Sequence, residues 1–113
     1  MKSWSHGVNP RRGGIWWVNV DPTLGSEIKK TRPCVIMGTN VLNERRRTVV
    51  IVPLSTAPQA ALLVPVVCAG KPAVAVVDQI RAVAKERFHG RTDELSLGDR
   101  NSVEDALRMV LEL

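Results

Sequence analysis

Short apolar runs, separated by polar turn residues, recur along this 113-residue chain and predict β-strands over most of its length. Residues 14–20 alternate in polarity and predict a first strand, with Trp16 and Trp17 on its two opposite faces. Residues 34–37 are apolar throughout, which predicts a strand buried on both sides. Residues 48–53 predict the next strand. These runs favour a small, mainly β domain.

The second half of the chain predicts two more strands and a closing helix. Residues 62–69 and 72–77 are strand-like, and Pro65 places the first of these strands at a sheet edge or a bulge. Residues 96–99 have the form of a helix capping box. The predicted helix has one apolar face, formed by Val103, Ala106, Leu107, Val110 and Leu111.

Two connecting segments show little periodicity. Residues 38–44 are predicted to turn the chain, and the three arginines at 45–47 are predicted to be a solvated hairpin end. Residues 82–91 carry four basic side chains and are predicted to be a basic connection that flanks a nucleic acid or a subunit interface.

The composition fits one small domain with anionic partners. A core of this size is marginal unless a second subunit adds buried surface, so a homodimer is expected. Sixteen Lys and Arg residues against eleven Asp and Glu give a net charge of +5 and a pI near 9.9, which favours nucleic acid or an acidic protein segment. Residues 1–12 are predicted to be a flexible arm, which leaves residues 13–113 as the domain.

The cysteines and histidines predict neither a disulfide nor a metal site. Cys34 and Cys68 lie in apolar runs and no signal peptide precedes them, so reduced thiols in a cytoplasmic protein are expected. His6 and His89 have no second ligand at a useful spacing, so no metal is expected. No apolar run reaches the length of a membrane span, so no membrane partner is expected.

The candidate functional stretch is the basic loop at residues 21–33, which lies between two predicted strands. Lys29, Lys30 and Arg32 place three positive charges within four positions and would attract a polyanion. For the two lysines, surface solubility is an equally good explanation. Pro33 holds the backbone of Arg32 extended, so this guanidinium is the better anchored cation. A fixed guanidinium suits a phosphate in a charged transition state.

Four blocks of the sequence resemble, in order and spacing, the signature blocks of the MazF/PemK (Kid) toxins, the small ribonucleases of toxin–antitoxin modules. The blocks are residues 14–27 (GIWWVNVDPTLGSE), 31–36 (TRPCVI), 52–56 (VPLST) and 77–81 (VDQIR). The resemblance implies a mainly β (α+β) fold, a compact SH3-like barrel of CcdB/PemK type with five to seven strands and a C-terminal helix. It also implies a twofold homodimer whose groove binds single-stranded RNA or the acidic C-terminal tail of a cognate antitoxin.

The same resemblance implies the catalytic residues. Arg32 and Ser55 fall where the family carries its active-site arginine and hydroxyl, and Glu27 or Asp78 is the candidate base. For Asp78 the role of a turn former is the slightly better explanation, because it closes a Val-rich run. Part of the family has an arginine two residues before this aspartate, where this chain has Val76. The expected RNA-binding residues are Ser26, Lys29, Lys30, Thr31, Thr56, Gln79, Arg81 and Arg87.

The expected activity is metal-independent, sequence-specific endoribonuclease cleavage without a cofactor. The ribose 2′-hydroxyl attacks the adjacent phosphate while Arg32 and Ser55 stabilise its charge, which gives a 2′,3′-cyclic phosphate and a 5′-hydroxyl. DNA lacks that hydroxyl and would survive. A serine without a base is a poor nucleophile, so Ser55 is expected to donate a hydrogen bond. The alternatives are a gyrase-inhibiting toxin of the same fold and a non-catalytic RNA-binding barrel.

Overall fold

The structure is a computed structural model, and it describes residues 9–20, 31–56 and 63–113. The first eight residues of the predicted arm lie outside this description, as do Ser26, Glu27, Lys29 and Lys30 of the basic loop. The division into arm and domain stays a prediction. At its boundary, the backbone N–H of Arg12 donates to Asn40 Oδ1 at 2.8 Å.

The described part of the chain folds into seven strands and two α-helices. The strands are β1 (Gly14–Asn19), β2 (Thr31–Ile36), β3 (Thr48–Ser55), β4 (Leu63–Cys68), β5 (Lys71–Val76), β6 (Arg81–Ala84) and β7 (Phe88–Glu94). The helices are α1 (Asn40–Arg45) and α2 (Leu97–Leu111), and the one-turn 3-10 helices are Val77–Gln79 and Lys85–Arg87. All paired strands are antiparallel, in the order β4-β5-β3-β2-β1-β7, with β6 beside β3.

This architecture confirms the predicted fold, a curled, mainly β sheet with a C-terminal helix. The apolar run at residues 34–37 is fully buried in and after the central strand β2, as predicted. Pro65 lies in β4, which is an edge strand, so its missing amide hydrogen costs the sheet little.

Two apolar clusters lie on opposite faces of the sheet, because successive residues of a strand point to opposite sides. The main cluster lies beneath α2 and includes Ile15, Val35, Leu54 and Val103. The second cluster is formed by Trp16, Val18, Cys34, Ile36, Val49, Ile51, Val83 and Phe88. Trp16 and Phe88 pack edge to face with ring centroids 5.8 Å apart. Trp17 belongs to neither cluster and is 42% exposed.

Strand β3 serves three neighbours and organises the sheet. Residues 51–53 pair with β2, while residues 48–51 pair with β6 and residues 54–55 pair with β5. The change of partner comes next to Pro53, which has no amide hydrogen to donate. The 3-10 helix Val77–Gln79 connects β5 to β6, and this connection is called here the β5–β6 corner. Because both strands pair with β3, the corner lies beside the point where β3 changes partner.

Three sequence predictions were wrong. Residues 31–33 do not belong to the predicted basic loop, because β2 begins at Thr31. Residues 38–44 do not merely turn, because α1 forms over Asn40–Arg45, where Thr39 caps the helix and the Asn43 side chain donates to the Gly38 carbonyl at 3.1 Å. Residues 82–91 are not a simple connection, because they contain most of β6 and the start of β7. The sequence of β7 is too polar to predict a strand, and this segment is a strand because it pairs with β1.

The closing helix begins where the capping box predicted, since Ser96 Oγ accepts from the Asp99 N–H at 3.1 Å. Its apolar face is shorter than predicted, because Val103 is buried whereas Leu111 is 48% exposed. No helix in the described ranges is both long enough and apolar enough to cross a membrane.

Carboxylates tie the edge strand β4 to the far end of the chain. The Val67 N–H donates to Asp99 Oδ2 at 2.9 Å, and the Ala69 N–H donates to Asp93 Oδ2 at 2.5 Å. Asp93 lies in β7 and Asp99 in α2. Among the described strands, β4 and β7 are the two ends of the sheet order and share no backbone ladder, so these side-chain hydrogen bonds connect the two ends.

Candidate functional site

The hydrogen-bonded ladder between β2 and β3 ends before it reaches the two predicted catalytic residues, and this unpaired segment is called here the β2–β3 gap. The ladder runs as far as the pair Cys34–Pro53, and the next two residues of β3 pair with β5 on the other side of the strand. Two residues beyond that pair, Arg32 lies on β2 and Ser55 is the last residue of β3. Continuing the same register would set Arg32 opposite Ser55. The two predicted catalytic residues therefore occupy matching positions on the two sides of this β2–β3 gap.

Arg32 is exposed, and strand alternation places its side chain on the face that carries Cys34 and the second cluster. The Cys34 thiol donates to the Arg32 carbonyl at 3.6 Å. Burial raises the pKa of Cys34 to about 12, while the positive charges of Arg32 and Arg81 act in the opposite direction. Both guanidinium groups are therefore close enough to this one buried thiol to influence its charge.

Arg81 approaches this face from the other side of β3. It begins β6, pairs with Ile51 of β3 and is exposed. Neither Arg32 nor Arg81 forms an ion pair with a carboxylate among the residues described. The structure thus brings together two predicted site residues as exposed cations on either side of one strand.

The two predicted hydroxyl residues differ in exposure. Ser55 is only 8% exposed, whereas Thr56 lies at a bend just after β3 and is exposed. By alternation, Ser55 lies on the face of the second cluster, while Leu54 belongs to the main cluster. Ser55 is therefore the hydroxyl on the same face as Arg32.

Asp78 and Gln79 lie at the corner between β5 and β6, and both are exposed. Val77 anchors this corner in the main cluster and accepts from the Ile80 N–H at 3.3 Å. Because β5 pairs with Ser55 and β6 pairs with residue 51, the corner runs alongside the stretch of β3 that borders the gap. Asp78 is consequently the described carboxylate that this topology places beside the gap.

Arg87 and Thr31 lie at the same end of β1. Phe88 pairs with Val18, and Val18 pairs with Arg32, so Arg87 precedes a row that crosses three strands. At about 5 Å per strand, this row spans roughly 10 Å. Arg87 and Thr31 are both half-buried.

Four predicted site residues, Ser26, Glu27, Lys29 and Lys30, lie outside the described residues, so their roles stay predictions. The choice between Glu27 and Asp78 as base also stays open. Within the described ranges, no three His, Cys, Asp or Glu side chains are grouped as a metal site.

Sequence reasoning treated Cys34 only as a core thiol and overlooked its position beside the two arginines. The available signal was its place two residues after Arg32, on the same face of a strand. The position of Arg81 near Cys34 depends on the pairing of β6 with β3, which the local sequence does not predict.

The fold and this face define a small β-barrel whose exposed cations flank a strand end that carries hydroxyl groups. The chain belongs to the family of PemK-like, MazF-like toxins of type II toxin–antitoxin systems, whose family model matches residues 11–111. The family predicted from the four sequence blocks is thereby confirmed.

Two curated relatives of this chain are endoribonucleases. The chain is 28% identical over 114 residues to endoribonuclease MazF9 of Mycobacterium tuberculosis, an alignment that covers 91% of this chain and 97% of the relative. It is 42% identical over 45 residues to endoribonuclease PemK of Escherichia coli, covering 40% of this chain and 34% of the relative.

Solved structures share the fold. MazF of Deinococcus radiodurans superposes with a TM-score of 0.80 at 20% identity, covering 94% of this chain and 99% of the other. A mycobacterial endoribonuclease in complex with its cognate antitoxin gives a TM-score of 0.77 at 21% identity, covering 92% and 96%. At these low sequence identities, the structural comparison supports a shared fold and nothing beyond it.

Proposed function

We propose that this toxin is a metal-independent endoribonuclease that cuts single-stranded RNA at a short recognition sequence, with the ribose 2′-hydroxyl as nucleophile. The observation that carries the proposal is the pair of exposed cations, Arg32 and Arg81, on either side of β3 beside the β2–β3 gap. The family and the two endoribonuclease relatives support the same activity.

The reaction needs a positive charge close to the phosphate that is cut, and Arg32 supplies one beside the β2–β3 gap. As the 2′-oxygen bonds to phosphorus, negative charge builds on the phosphate oxygens, and a fixed guanidinium stabilises that charge more than it stabilises the substrate. Arg32 supplies this charge from a strand, where its backbone is held by pairing with β1. Ser55 adds a hydroxyl donor from the opposite side of the gap.

The proton balance needs one base and one proton source. A carboxylate, Asp78 or Glu27, takes the proton of the 2′-hydroxyl as the P–O2′ bond forms. The P–O5′ bond then breaks, and the leaving 5′-oxygen takes a proton from water or from Arg32. The products are a 2′,3′-cyclic phosphate and a 5′-hydroxyl, and DNA is not cut because it has no 2′-hydroxyl.

The remaining predicted residues bind the RNA on both sides of the cut bond. Thr31, Thr56, Gln79, Arg81 and Arg87 lie around the gap, and Ser26, Lys29 and Lys30 belong to the basic loop. Positive charge along the RNA path favours binding of the RNA backbone, because binding releases counterions from its phosphates.

We further propose that the toxin acts as a cytoplasmic homodimer and is neutralised by a cognate antitoxin with an acidic tail. A net charge of +5 favours such a tail, which would occupy the same cations as the RNA. A second subunit would add buried surface to a domain of only 113 residues.

The test is end-group analysis of RNA cut by the purified protein in EDTA. We expect 2′,3′-cyclic phosphate and 5′-hydroxyl ends from the wild type and cleavage that is about 1,000-fold slower from Arg32→Ala. Ser55→Ala and Thr56→Ala, compared side by side, identify the hydroxyl donor, and Glu27→Gln against Asp78→Asn identifies the base.

Other results would exclude the proposal. Cleavage that stops in EDTA would refute metal independence, and full activity in Arg32→Ala would remove this residue from the mechanism. RNA binding without any cut would favour a non-catalytic barrel. Inhibition of gyrase by an RNA-inactive protein would favour the gyrase-inhibiting alternative.

A further inference from the structure

A second group of arginines surrounds a cavity at the opposite end of β1. The cavity has a volume of about 420 Å³ and is lined by Arg11, Arg12, Gly14, Asn40, Arg91, Glu94 and Arg100. Four arginines therefore face one lining carboxylate. This site, called here the rim pocket, collects residues from the start of β1, from α1, from β7 and from α2.

Two of the four arginines are held by the protein. The Arg12 guanidinium donates to the Met37 carbonyl and to Glu104. Arg91 donates to Glu94 at 3.2 Å, in an ion pair whose side chains are both more than half exposed. The second pair is weak because water screens it, so Arg91 remains available to another anion.

Of the two half-buried arginines at the rim pocket, Arg12 and Arg100, Arg100 is the one without a carboxylate partner among the described residues. Its side chain lies against Gly13, where a Cβ would come within 3.0 Å of Arg100 Nη1, and Gly13 has a φ of +92° that favours glycine. Its Nε is buried and has no hydrogen-bond partner among the described residues. Arg100 also forms no ion pair with a described carboxylate. A bound anion would offset the cost of this partly dehydrated guanidinium.

Arg91 and Glu94 of the rim pocket lie on the same face of the sheet as Arg32, whereas Arg100 reaches the pocket from α2, which covers the opposite face. Gly14 pairs with Glu94 and Trp16 pairs with Arg91, while Val18 pairs with Arg32. Gly14, Trp16 and Val18 alternate onto the same side, which is the side of the second cluster. At about 3.3 Å per residue, roughly 13 Å of strand separates the pocket from the row that holds Arg32.

We propose that the rim pocket binds a backbone phosphate of the RNA, several nucleotides away from the phosphate that is cut. Guanidinium groups match phosphate oxygens in geometry and charge, and the cavity is large enough for a phosphate and its sugar. Its strand residues Arg91 and Glu94 lie on the face that leads to Arg32, which favours a polymer reaching both places. The inference rests on the proposed function, since it extends the path of the same substrate.

The experiment measures binding of RNA that cannot be cut. A fully 2′-O-methylated oligonucleotide of about ten nucleotides, with the sequence that the wild type cleaves, is titrated against each variant at several salt concentrations. The test variant is Arg100→Gln. The matched control is Arg108→Gln, which removes the same charge from the same helix at a side chain that is 60% exposed and paired with Asp105.

Loss of one phosphate contact has a defined signature. Arg100→Gln should bind about tenfold more weakly, and its salt slope should fall by about 0.7 relative to wild type, whereas Arg108→Gln should match wild type. Arg91→Gln should show a smaller loss in the same direction and serves as the second variant if Arg100→Gln unfolds. The loss should be larger with about ten nucleotides than with three.

Three outcomes would overturn the inference. The first is equal affinity of the Arg100→Gln and Arg108→Gln variants for RNA. The second is an unchanged salt slope in both pocket variants. The third is normal RNA affinity together with lost affinity for an oligoglutamate peptide, which would assign the pocket to an acidic protein. Because the probe is not cut, the result decides about the pocket separately from the cleavage assay.

Discussion

The two ends of β1 differ in how many of their arginines are paired with a carboxylate. Beside the β2–β3 gap, Arg32 and Arg81 are exposed and have no ion-pair partner among the described residues, whereas at the rim pocket Arg12 and Arg91 are each bound to a carboxylate. The paired arginines contribute to holding the chain, and the unpaired ones leave their charge for a ligand. In our proposal Arg32 thus serves chemistry at one end, while at the other end Arg12 serves stability and Arg100, unpaired among the described residues, binds RNA.

The largest expected effect separates these two roles at the gap. Arg32→Ala should lower the rate of RNA cleavage by about 1,000-fold, or about 4 kcal/mol of transition-state stabilisation, because a preorganised cation is lost. Its melting temperature should stay within a degree or two of wild type. Single-turnover cleavage and thermal unfolding measure the two quantities, and a stable, fully active variant would contradict the assignment.

The next effect concerns the thiol between the gap arginines. Burial raises the pKa of Cys34 to about 12 from an ordinary value of 9.0. A raised pKa in the folded state means that the stabilisation is complete below pH 9 and is lost as pH rises toward 12. The free energy of unfolding of the wild type should therefore fall more steeply than that of Cys34→Ala across this window, by up to about 1.4 kcal/mol per pH unit. Parallel curves would show that Cys34 ionises freely.

At the other end of the strand, Arg12→Met should cost about 2 kcal/mol of stability, because the Met37 carbonyl and Glu104 lose a partly buried donor. Urea unfolding measures the loss. Arg108→Met is the control, since its exposed pair with Asp105 should be worth less than about 0.5 kcal/mol.

The smallest effect tests the carboxylate that joins β7 to β4. Hydrogen bonds from the backbone N–H groups of Ala69 and Glu94 lower the pKa of Asp93. Its contribution is present above an ordinary carboxyl pKa of 3.8 and disappears as pH falls through the lowered value. Asp93→Asn should lose roughly half a kcal/mol at neutral pH, and the difference from wild type should vanish in acid. The control is Asp105→Asn, which makes the same change at an exposed carboxylate that is paired with Arg108.

Local patterns were sufficient to predict the elements whose packing follows from their own sequence. The alternation of β1 sent Ile15 and Trp16 into different clusters, and Ser96 capped the closing helix as expected. The position of Pro65 in an edge strand followed from its missing amide hydrogen.

Elements that depend on distant partners were not predictable in the same way. Helix α1 has only six residues and forms because Thr39 caps it and Asn43 is buried against Gly38, and β7 is a strand because β1 pairs with it. The site behaves similarly. Arg32 and Ser55 were found from motifs, while their relation to Cys34 and Arg81 emerged only from strand register.

Because β3 changes partners beside Pro53, the number of residues between this proline and Ser55 is fixed by the pairing on both sides. Inserting one residue there would turn the serine hydroxyl to the opposite side of the sheet and away from the guanidinium of Arg32. Length variation among toxins of this type should accordingly be concentrated in the connections, with the spacing of this short segment held constant.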